Sequence, residues 1–166
     1  LSQIDHYMKV VADKTGSLIA TSARFGALLS GASTEIVDSL TKFGEKIGVA
    51  FQVADDLLDV ASHETASGKT PGTDLKEGIP TLVTLYVIAA NDPADKDLIE
   101  KLRSPISDQD LPNVISKLRT HNAVKEVQGY LAQVAKEAND LLVDLPEGAA
   151  KEGLKNLTYA LVNRST

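Results

Sequence analysis

The sequence lacks cysteine entirely, and it has neither a cluster of basic residues nor a long apolar segment. Without cysteine, disulfide bonds, thiolate metal sites and cysteine nucleophiles are excluded, and the composition suits a reducing compartment. The three histidines, His6, His63 and His121, are far apart in the sequence, and none has the H-x-x-x-H spacing of a pair of metal ligands. We expect each histidine to lie at the surface or at the boundary of the core.

Acidic residues outnumber basic residues by 23 to 17, which gives a net charge of −6. This balance, without a basic cluster, argues against nucleic acid or another polyanion as a partner. The longest apolar run, LVTLYVIAA at residues 82–90, is well short of the roughly 20 residues that a membrane-spanning helix needs. No signal-peptide pattern opens the chain. We therefore expect a cytoplasmic protein without a membrane span.

Helical periodicity runs through nearly the whole chain, and 43% of its 166 residues are hydrophobic. This pattern predicts an all-α fold, with a single domain over residues 1–166. Ser33 or Thr34 can cap the second helix, and Pro80 can occupy the first position of the third. Segment 62–79 is predicted to be irregular, and at about 18 residues it is longer than most compact domains contain without a functional reason. The predicted helices lie near residues 4–30, 34–61, 80–91, 94–103, 108–119, 121–143 and 148–163.

The predicted helix at residues 34–61 carries the segment FQVADDLLDV near its end, with three aspartates among apolar residues. On a helical wheel, one apolar stripe is predicted to face the core, and a polar arc lies roughly opposite. Asp55 and Asp59 are four residues apart, which places their Cβ atoms about 5–6 Å from each other, and Asp56 flanks them. The apolar stripe holds Ile36, Leu40, Phe43, Ile47, Phe51, Ala54 and Leu58, and the polar arc holds Thr41, Gly48, Gln52, Asp55, Asp56 and Asp59.

These aspartates have two interpretations. They can lie on an ordinary solvated face, or they can hold a multivalent cation together with the anion that it carries. Mg²⁺ suits the second interpretation, because it takes oxygen ligands and is usually held by one or two carboxylates plus water and phosphate. Aspartate is a poor helix former, and negative charge at the C-terminal end of a helix opposes its dipole. Both facts favour the functional interpretation.

Two lysines lie in segments that suit phosphate binding. Lys14, followed by Thr15, interrupts the first helix in VVADKTGSLIA, and Lys69 lies in the glycine-bearing segment SGKTPGTD. Each lysine can equally be an ordinary surface residue, and GKTPGT lacks the spacing of a Walker A loop. Lysines that close on a phosphate held by a cation and carboxylates would, however, form a phosphate-binding site.

Three motifs, in this order, resemble one family. DKTGSLIATSARFGALLSG, GVAFQVADDLLDV and GKTPGTDLKEGIPTL together resemble the C-terminal half of the trans-isoprenyl (polyprenyl) diphosphate synthases. The resemblance implies an isoprenoid-synthase-type bundle of helices around a central cavity, usually in a homodimer. It also implies a prenyltransferase that condenses an allylic diphosphate with isopentenyl diphosphate, using Mg²⁺. The third motif looks closer to the polyprenyl synthases than to the farnesyl synthases, so medium or long polyprenyl chains are the expected product.

The resemblance also implies which residues bind the diphosphate. Asp55, Asp56 and Asp59 match the second aspartate-rich motif of the family, which binds the Mg²⁺ that bridges to the allylic diphosphate. Lys14 and Lys69 match lysines that contact the same diphosphate. The metal and the lysines would stabilise the leaving diphosphate electrostatically.

Two further matches concern the carbocation that forms when the allylic C–O bond breaks. Thr15 and Gln52 match the pair of residues whose oxygens face this cation in the family. Such oxygens stabilise positive charge without being nucleophilic enough to trap it. No side-chain general base is required, because the departing diphosphate can accept the proton.

The sequence departs from the family pattern in two places. Many relatives carry a lysine where EGIPTL has Ile79, so Lys76 is the candidate for the missing phosphate contact. The first aspartate-rich motif and the basic residues that bind isopentenyl diphosphate are absent, and no second D-D-x-x-D occurs in the chain. We therefore expect this chain alone to be inactive. It would be a fragment, which the lack of an initial methionine favours, a subunit completed by another chain, or a noncatalytic homologue.

The leading hypothesis is the diphosphate-binding part of a polyprenyl diphosphate synthase, which forms a homodimer or associates with the missing N-terminal half to cover an exposed cavity wall. One alternative is a noncatalytic or regulatory subunit of a heteromeric prenyl diphosphate synthase, against which the intact motif residues argue. Another is a plain helical interaction domain, which predicts no Mg²⁺-dependent diphosphate binding. The related terpene cyclases share the fold, but the KT and GKTPGTD motifs fit the elongating enzymes better.

Overall fold

The computed structural model describes residues 2–61 and 71–163, apart from the side chain of residue 162. Within these ranges the chain forms helices joined by turns, and it forms no strand. The prediction of an all-α fold is confirmed. None of the helices in these ranges is long and apolar enough to cross a membrane.

The predicted helices are all found, with ends that differ by a few residues. A π-helical turn, Ala12–Gly16, joins the first two α-helices, and a 3₁₀ turn, Pro93–Asp95, precedes the sixth. The α-helices of the described residues are α1 (Gln3–Val11), α2 (Ser17–Leu29), α3 (Thr34–Ala61), α4 (Thr73–Glu77), α5 (Leu82–Ala90), α6 (Lys96–Lys101), α7 (Leu111–Thr120), α8 (Asn122–Asp140) and α9 (Ala149–Asn163).

The prediction that segment 62–79 is irregular is wrong where α4 lies. Gly72 and Gly78 bracket this short helix, and both adopt the left-handed conformation, with φ of 85° and 69°. Glycine adopts positive φ without steric cost, so these two positions set where the helix begins and ends. Residues 62–70 of the same segment lie outside the described residues.

Two compact units make up the chain. The first consists mainly of Leu1–Tyr7 and Asp55–Gly129. Helix α5 is apolar on all sides, as is typical of a helix buried within a core. The fully buried side chains of this unit include Leu57, Val60, Leu82, Val83, Val87, Val114, Leu118 and Val127.

Helix α5 begins with a reciprocal cap. The Thr81 side chain accepts a hydrogen bond from the backbone N–H of Thr84, and the Thr84 hydroxyl oxygen accepts one from the backbone N–H of Thr81. Both threonines are buried, so the cap satisfies polar groups that water cannot reach. The prediction that Pro80 takes the first helical position is therefore wrong, because Pro80 precedes the cap residue.

The second unit consists mainly of Met8–Ala54 and Tyr130–Arg164. An ion pair of 2.7 Å between Lys46 and Glu137 joins α3 to α8 at its surface. The hydrophobic core of this second unit contains Phe43, Ile47, Ala138, Leu142, Leu145 and Leu161, with Ile36 and Leu40 packed against them. The first half of the predicted apolar stripe of α3 thus faces this core.

The predicted stripe fails at Phe51, which is 42% exposed. Near this end of α3 the fully buried positions are Val53, Leu57 and Val60, which the stripe did not include. A wheel assumes that one side of a helix is buried along its whole length. Helix α3 is long, and its buried side changes along its course.

A buried lysine closes the turn after α8. Lys151 is only 5% exposed. Its ammonium group donates to the carbonyl oxygens of Val143 and Leu145, at 2.9 Å and 3.0 Å, and to Glu147 Oε1 at 2.7 Å. The positive charge lies just beyond the C-terminal end of α8, where a helix dipole favours a cation.

Candidate functional site

The three motif aspartates, Asp55, Asp56 and Asp59, lie on the last turns of α3 and are half-buried. The Tyr7 hydroxyl donates a hydrogen bond of 2.6 Å to Asp56 Oδ2. Both residues belong to the first unit, although they are 49 positions apart in the sequence. No local pattern in the sequence indicates this partner, and Tyr7 was not among the predicted site residues.

Asp59 holds the start of α4. Its Oδ1 accepts a hydrogen bond of 3.3 Å from the backbone N–H of Thr73, and its Oδ2 accepts one of 3.1 Å from the backbone N–H of Asp74. Its backbone carbonyl accepts a third, at 2.9 Å, from the N–H of Gly72. The N-cap residue Gly72 has no side chain, so the Asp59 carboxylate supplies the acceptors for the first backbone N–H groups of a helix that begins 14 residues later in the chain.

A fourth carboxylate, Asp74, joins the three that the sequence indicated. Burial, together with the smaller effect of nearby negative charges, raises the pKa of Asp74 from its ordinary value of 3.8 to about 6. Those charges are, in decreasing order of effect, on Asp59, Asp56, Asp55 and Glu77. Sequence reasoning missed Asp74, although it is the last residue of the motif GKTPGTD and lies two residues after Gly72.

The donor set of this cluster suits a hard divalent cation. Carboxylate oxygens are ligands that Mg²⁺ and Ca²⁺ prefer. Burial is the largest cause of the raised pKa of Asp74, and the negative charges of Asp59, Asp56 and Asp55 add to it. Among residues 2–61 and 71–163, no three Asp, Glu, His or Cys side chains are placed to hold a metal ion by themselves. A cation bound at one or two of these carboxylates would therefore need further oxygens from water or a bound anion, which is the usual situation for Mg²⁺.

The C-terminal end of α3 also has a basic partner. Arg119 Nε donates a hydrogen bond of 3.0 Å to the carbonyl oxygen of Val60. A guanidinium at this end of a helix is favoured by its dipole, and it offsets part of the unfavourable placement of the aspartates. Arg119 lies 59 residues after Val60, so the sequence alone could not connect them.

Thr15 and Gln52 contact each other in the second unit. The Thr15 hydroxyl donates a hydrogen bond of 3.2 Å to Gln52 Oε1. Thr15 and the exposed Lys14 both lie in the π-helical turn, which agrees with the prediction that they interrupt the first helix. Single π-helical turns inside α-helices occur frequently at functional sites.

Glycine brings α3 against this turn. A Cβ atom on Gly48 would lie 2.7 Å from the Cα atom of Gly16, and one on Gly44 would lie 2.7 Å from the carbonyl oxygen of Ile19. Real Cβ contacts are never this short, so the two backbones touch directly. The contact holds the π-helical turn, and with it Thr15, at the level of α3 that carries Gln52.

The remaining predicted residues are placed as follows. Lys76 pairs with Asp108 across 2.6 Å and lies at the surface, so its predicted contact with a diphosphate stays a prediction. Lys69 lies outside the described residues. Ile79 is 46% exposed, and its backbone N–H donates a hydrogen bond of 2.8 Å to the carbonyl oxygen of Asp74.

The described histidines lie where they were expected. His6 is exposed, and His121 is half-buried. His121 Nε2 lies 3.0 Å from Asp95 Oδ2, and its Nδ1 accepts a hydrogen bond from the backbone N–H of Ala123. The acceptor role of Nδ1 places the ring proton on Nε2, so this histidine has a structural role between two helices. His63 lies outside the described residues.

Comparison with known proteins points to one family. A family sequence model described as Polyprenyl synthetase matches residues 1–118. The nonaprenyl diphosphate synthase of Mycobacterium tuberculosis is 37% identical over 165 residues, which make up 99% of this chain and 49% of that protein. The heptaprenyl diphosphate synthase component 2 of Bacillus subtilis is 33% identical over 148 residues, or 89% of this chain and 42% of that protein.

A solved structure agrees with these sequence matches. The geranylgeranyl pyrophosphate synthase of Corynebacterium glutamicum, complexed with calcium and isoprenyl diphosphate, matches with a TM-score of 0.88 and 35% identity. The match covers 98% of this chain and 51% of that chain. This chain therefore spans about half the length of the relatives that it matches.

Proposed function

Because the chain belongs to the polyprenyl synthetase family, we propose that it forms the part of a polyprenyl diphosphate synthase that binds the allylic diphosphate through Mg²⁺. The reaction would elongate the allylic chain with isopentenyl diphosphate. The observation that carries this proposal is the cluster that Asp55, Asp56 and Asp59 at the end of α3 form with Asp74, whose backbone N–H donates to Asp59 and whose pKa is raised by burial and by the charges of the other three.

The aspartates would hold the cation in unequal ways. Asp55 and Asp56 are the main ligand candidates. Asp59 adds negative charge, and each of its oxygens keeps a lone pair beyond the one that a backbone N–H occupies. A bound Mg²⁺ would supply positive charge that stabilises the diphosphate as it leaves. The calcium and isoprenyl diphosphate in the Corynebacterium glutamicum structure support a divalent cation at this kind of site.

Lysines would complete the binding of the diphosphate. Lys14 is exposed on the π-helical turn, so its ammonium group can reach a ligand without breaking buried contacts. We assign the same role to Lys69. Lys76 is the weaker candidate, because it would first have to leave its ion pair with Asp108. Each charged contact of this kind is stronger than a neutral hydrogen bond.

Thr15 and Gln52 would face the carbocation. The Thr15 hydroxyl donates its hydrogen bond to Gln52 Oε1, so the lone pairs of the Thr15 oxygen face its other neighbours. An oxygen held in this way stabilises developing positive charge as a fixed dipole. The close contact of Gly48 with Gly16 would keep this dipole in place during the reaction.

The rest of the reaction site would come from protein outside these residues. We propose that the chain acts together with an N-terminal half carrying the first aspartate-rich motif, and that it is inactive alone. Several large apolar side chains of α2 are exposed and would be covered in such an assembly or in a homodimer: Leu18, Phe25, Leu28 and Leu29.

A second candidate is one subunit of a heteromeric synthase. The name of the Bacillus subtilis relative, component 2 of heptaprenyl diphosphate synthase, favours this possibility. A noncatalytic or regulatory subunit would not need the diphosphate site. Binding of diphosphate by this chain therefore separates a substrate-binding part from a purely regulatory one.

Calorimetric titration of the chain with inorganic diphosphate, with and without Mg²⁺, tests the proposal. We expect binding that requires Mg²⁺ and that Asp55→Ala abolishes. Asp38→Ala is the matched control, because Asp38 is an exposed aspartate of the same helix. Binding that persists unchanged in Asp55→Ala would remove the cation assignment. The absence of any Mg²⁺-dependent binding would favour a regulatory or interaction role.

A further inference from the structure

We propose that Tyr7 is a positioning residue of the cation site, which holds the Asp56 carboxylate in the orientation that binds the cation. This inference rests on the function proposed above and extends it to a residue outside the three sequence motifs. Tyr7 lies on α1, seven residues before Lys14, and the family resemblance gave it no role.

The hydrogen bond between Tyr7 and Asp56 is short, at 2.6 Å. An O–H group that donates to an ionised carboxylate makes bonds of this length, and they are about twice as strong as neutral ones. Tyr7 is only 8% exposed, so packing fixes its ring and leaves the hydroxyl little freedom to move. The tyrosine is therefore a rigid support for the carboxylate.

The same support is visible at Asp59, where backbone N–H groups fix both oxygens. Two of the three motif aspartates are thus held by uncharged hydrogen-bond donors. A carboxylate offers about four lone-pair positions, so Asp56 can accept from Tyr7 and still bind a cation. Fixing the carboxylate beforehand reduces the entropy that cation binding would otherwise lose.

Partners that orient a metal-binding carboxylate typically change the metal affinity about 10- to 100-fold when they are removed. Tyr7→Phe removes only the hydroxyl and keeps the buried ring. We expect this variant to weaken Mg²⁺-dependent binding of inorganic diphosphate roughly 10-fold. Tyr159→Phe is the matched control, because Tyr159 is 60% exposed on α9, and it should leave the affinity unchanged.

Ultraviolet difference spectroscopy gives a readout that a merely structural role would not change. The chain has no tryptophan and four tyrosines, so tyrosine dominates its absorbance near 280 nm. A cation at Asp56 withdraws charge from the carboxylate and weakens its hydrogen bond with Tyr7. Addition of Mg²⁺ and diphosphate should therefore shift the tyrosine absorbance of the wild type and of Tyr159→Phe, but not that of Tyr7→Phe.

Unchanged affinity in Tyr7→Phe, while Asp55→Ala loses binding, would overturn this inference and leave the proposed function standing. If the wild type shows no Mg²⁺-dependent binding of diphosphate, both this inference and the proposed function are overturned. If Tyr7→Phe proves less stable to heat, a double-mutant cycle with Asp56→Asn decides: non-additive effects on thermal unfolding support the hydrogen bond, whereas additive effects contradict it.

Discussion

Replacing Asp74 with asparagine removes one negative charge from the carboxylates at the end of α3, and it should stabilise the chain at neutral pH when no divalent cation is present. The side chain keeps nearly its size. The backbone N–H of residue 74 can still donate to Asp59, and its carbonyl oxygen can still accept from the N–H of Ile79. The substitution therefore changes charge with little change in structure.

The sign of the effect follows from the raised pKa of Asp74, which is about 6 in the folded chain against an ordinary value of 3.8. Between these pH values the folded chain binds more protons than the unfolded chain, so its stability falls as the pH rises through this range and stays lower above it. Below about pH 4 the carboxyl group is protonated in both states, and the penalty disappears.

The size of the stabilisation depends on how strongly solvent screens the charge of Asp74. A rise in pKa of this size corresponds to about 3 kcal/mol at full strength. Asp74 is only half-buried, and solvent screening reduces the penalty to about 1 kcal/mol. A carboxylate in the first turn of α4 also interacts favourably with the helix dipole, which opposes part of the gain.

Thermal unfolding in the presence of a chelator measures the effect. We expect Asp74→Asn to melt about 2–4 °C above the wild type at pH 8 and at the same temperature at pH 4. Glu100→Gln, at an exposed position of the same unit, is the control for a change of net charge. A gain that is equal at both pH values, or no gain at pH 8, would refute the argument that accumulated charge destabilises this site.

Two further predictions concern backbone contacts. Gly48→Ala should destabilise the chain by about 2 kcal/mol, because the new Cβ would meet the backbone of Gly16, whereas Gly26→Ala, with open space around it, should stabilise by about 0.5–1 kcal/mol; chemical denaturation of both variants tests the difference. Lys151→Met should cost about 2–3 kcal/mol in the same assay, because the carbonyl oxygens after α8 lose their buried donor, and a neutral effect would contradict the structural role of this lysine.

The helices could be predicted from the sequence because their periodicity is local. The longer helices show their apolar residues within their own segments. The cap at Ser33 and the interruption of the first helix at Lys14 are likewise local signals. Helix α4 could not be predicted in this way. Its five residues are too few for a periodic pattern, and the side chain that accepts from its first N–H groups belongs to Asp59, 14 positions before Thr73.

The residues of the candidate site likewise divide into those that a local pattern predicts and those that only the fold brings together. Asp55, Asp56 and Asp59 are recognisable because they lie within five residues of one helix. Tyr7 and Asp74 take part only because the fold brings distant segments to that helix, and no spacing rule applies to such pairs. The burial of α3 was predicted only in part for a related reason. The helical wheel places Phe51 in the apolar stripe, but tertiary contacts decide which side of the helix is covered, and the Phe51 side chain is exposed.

The three hydrogen bonds that Asp59 accepts have a consequence for the chain between the end of α3 and α4. They fix both ends of this connection, because Asp59 is bonded directly to residues 72–74. The free energy of closing a loop grows slowly with its length, by about 0.6 kcal/mol for each doubling. Insertions between residues 61 and 71 should therefore leave the aspartates of α3 in place.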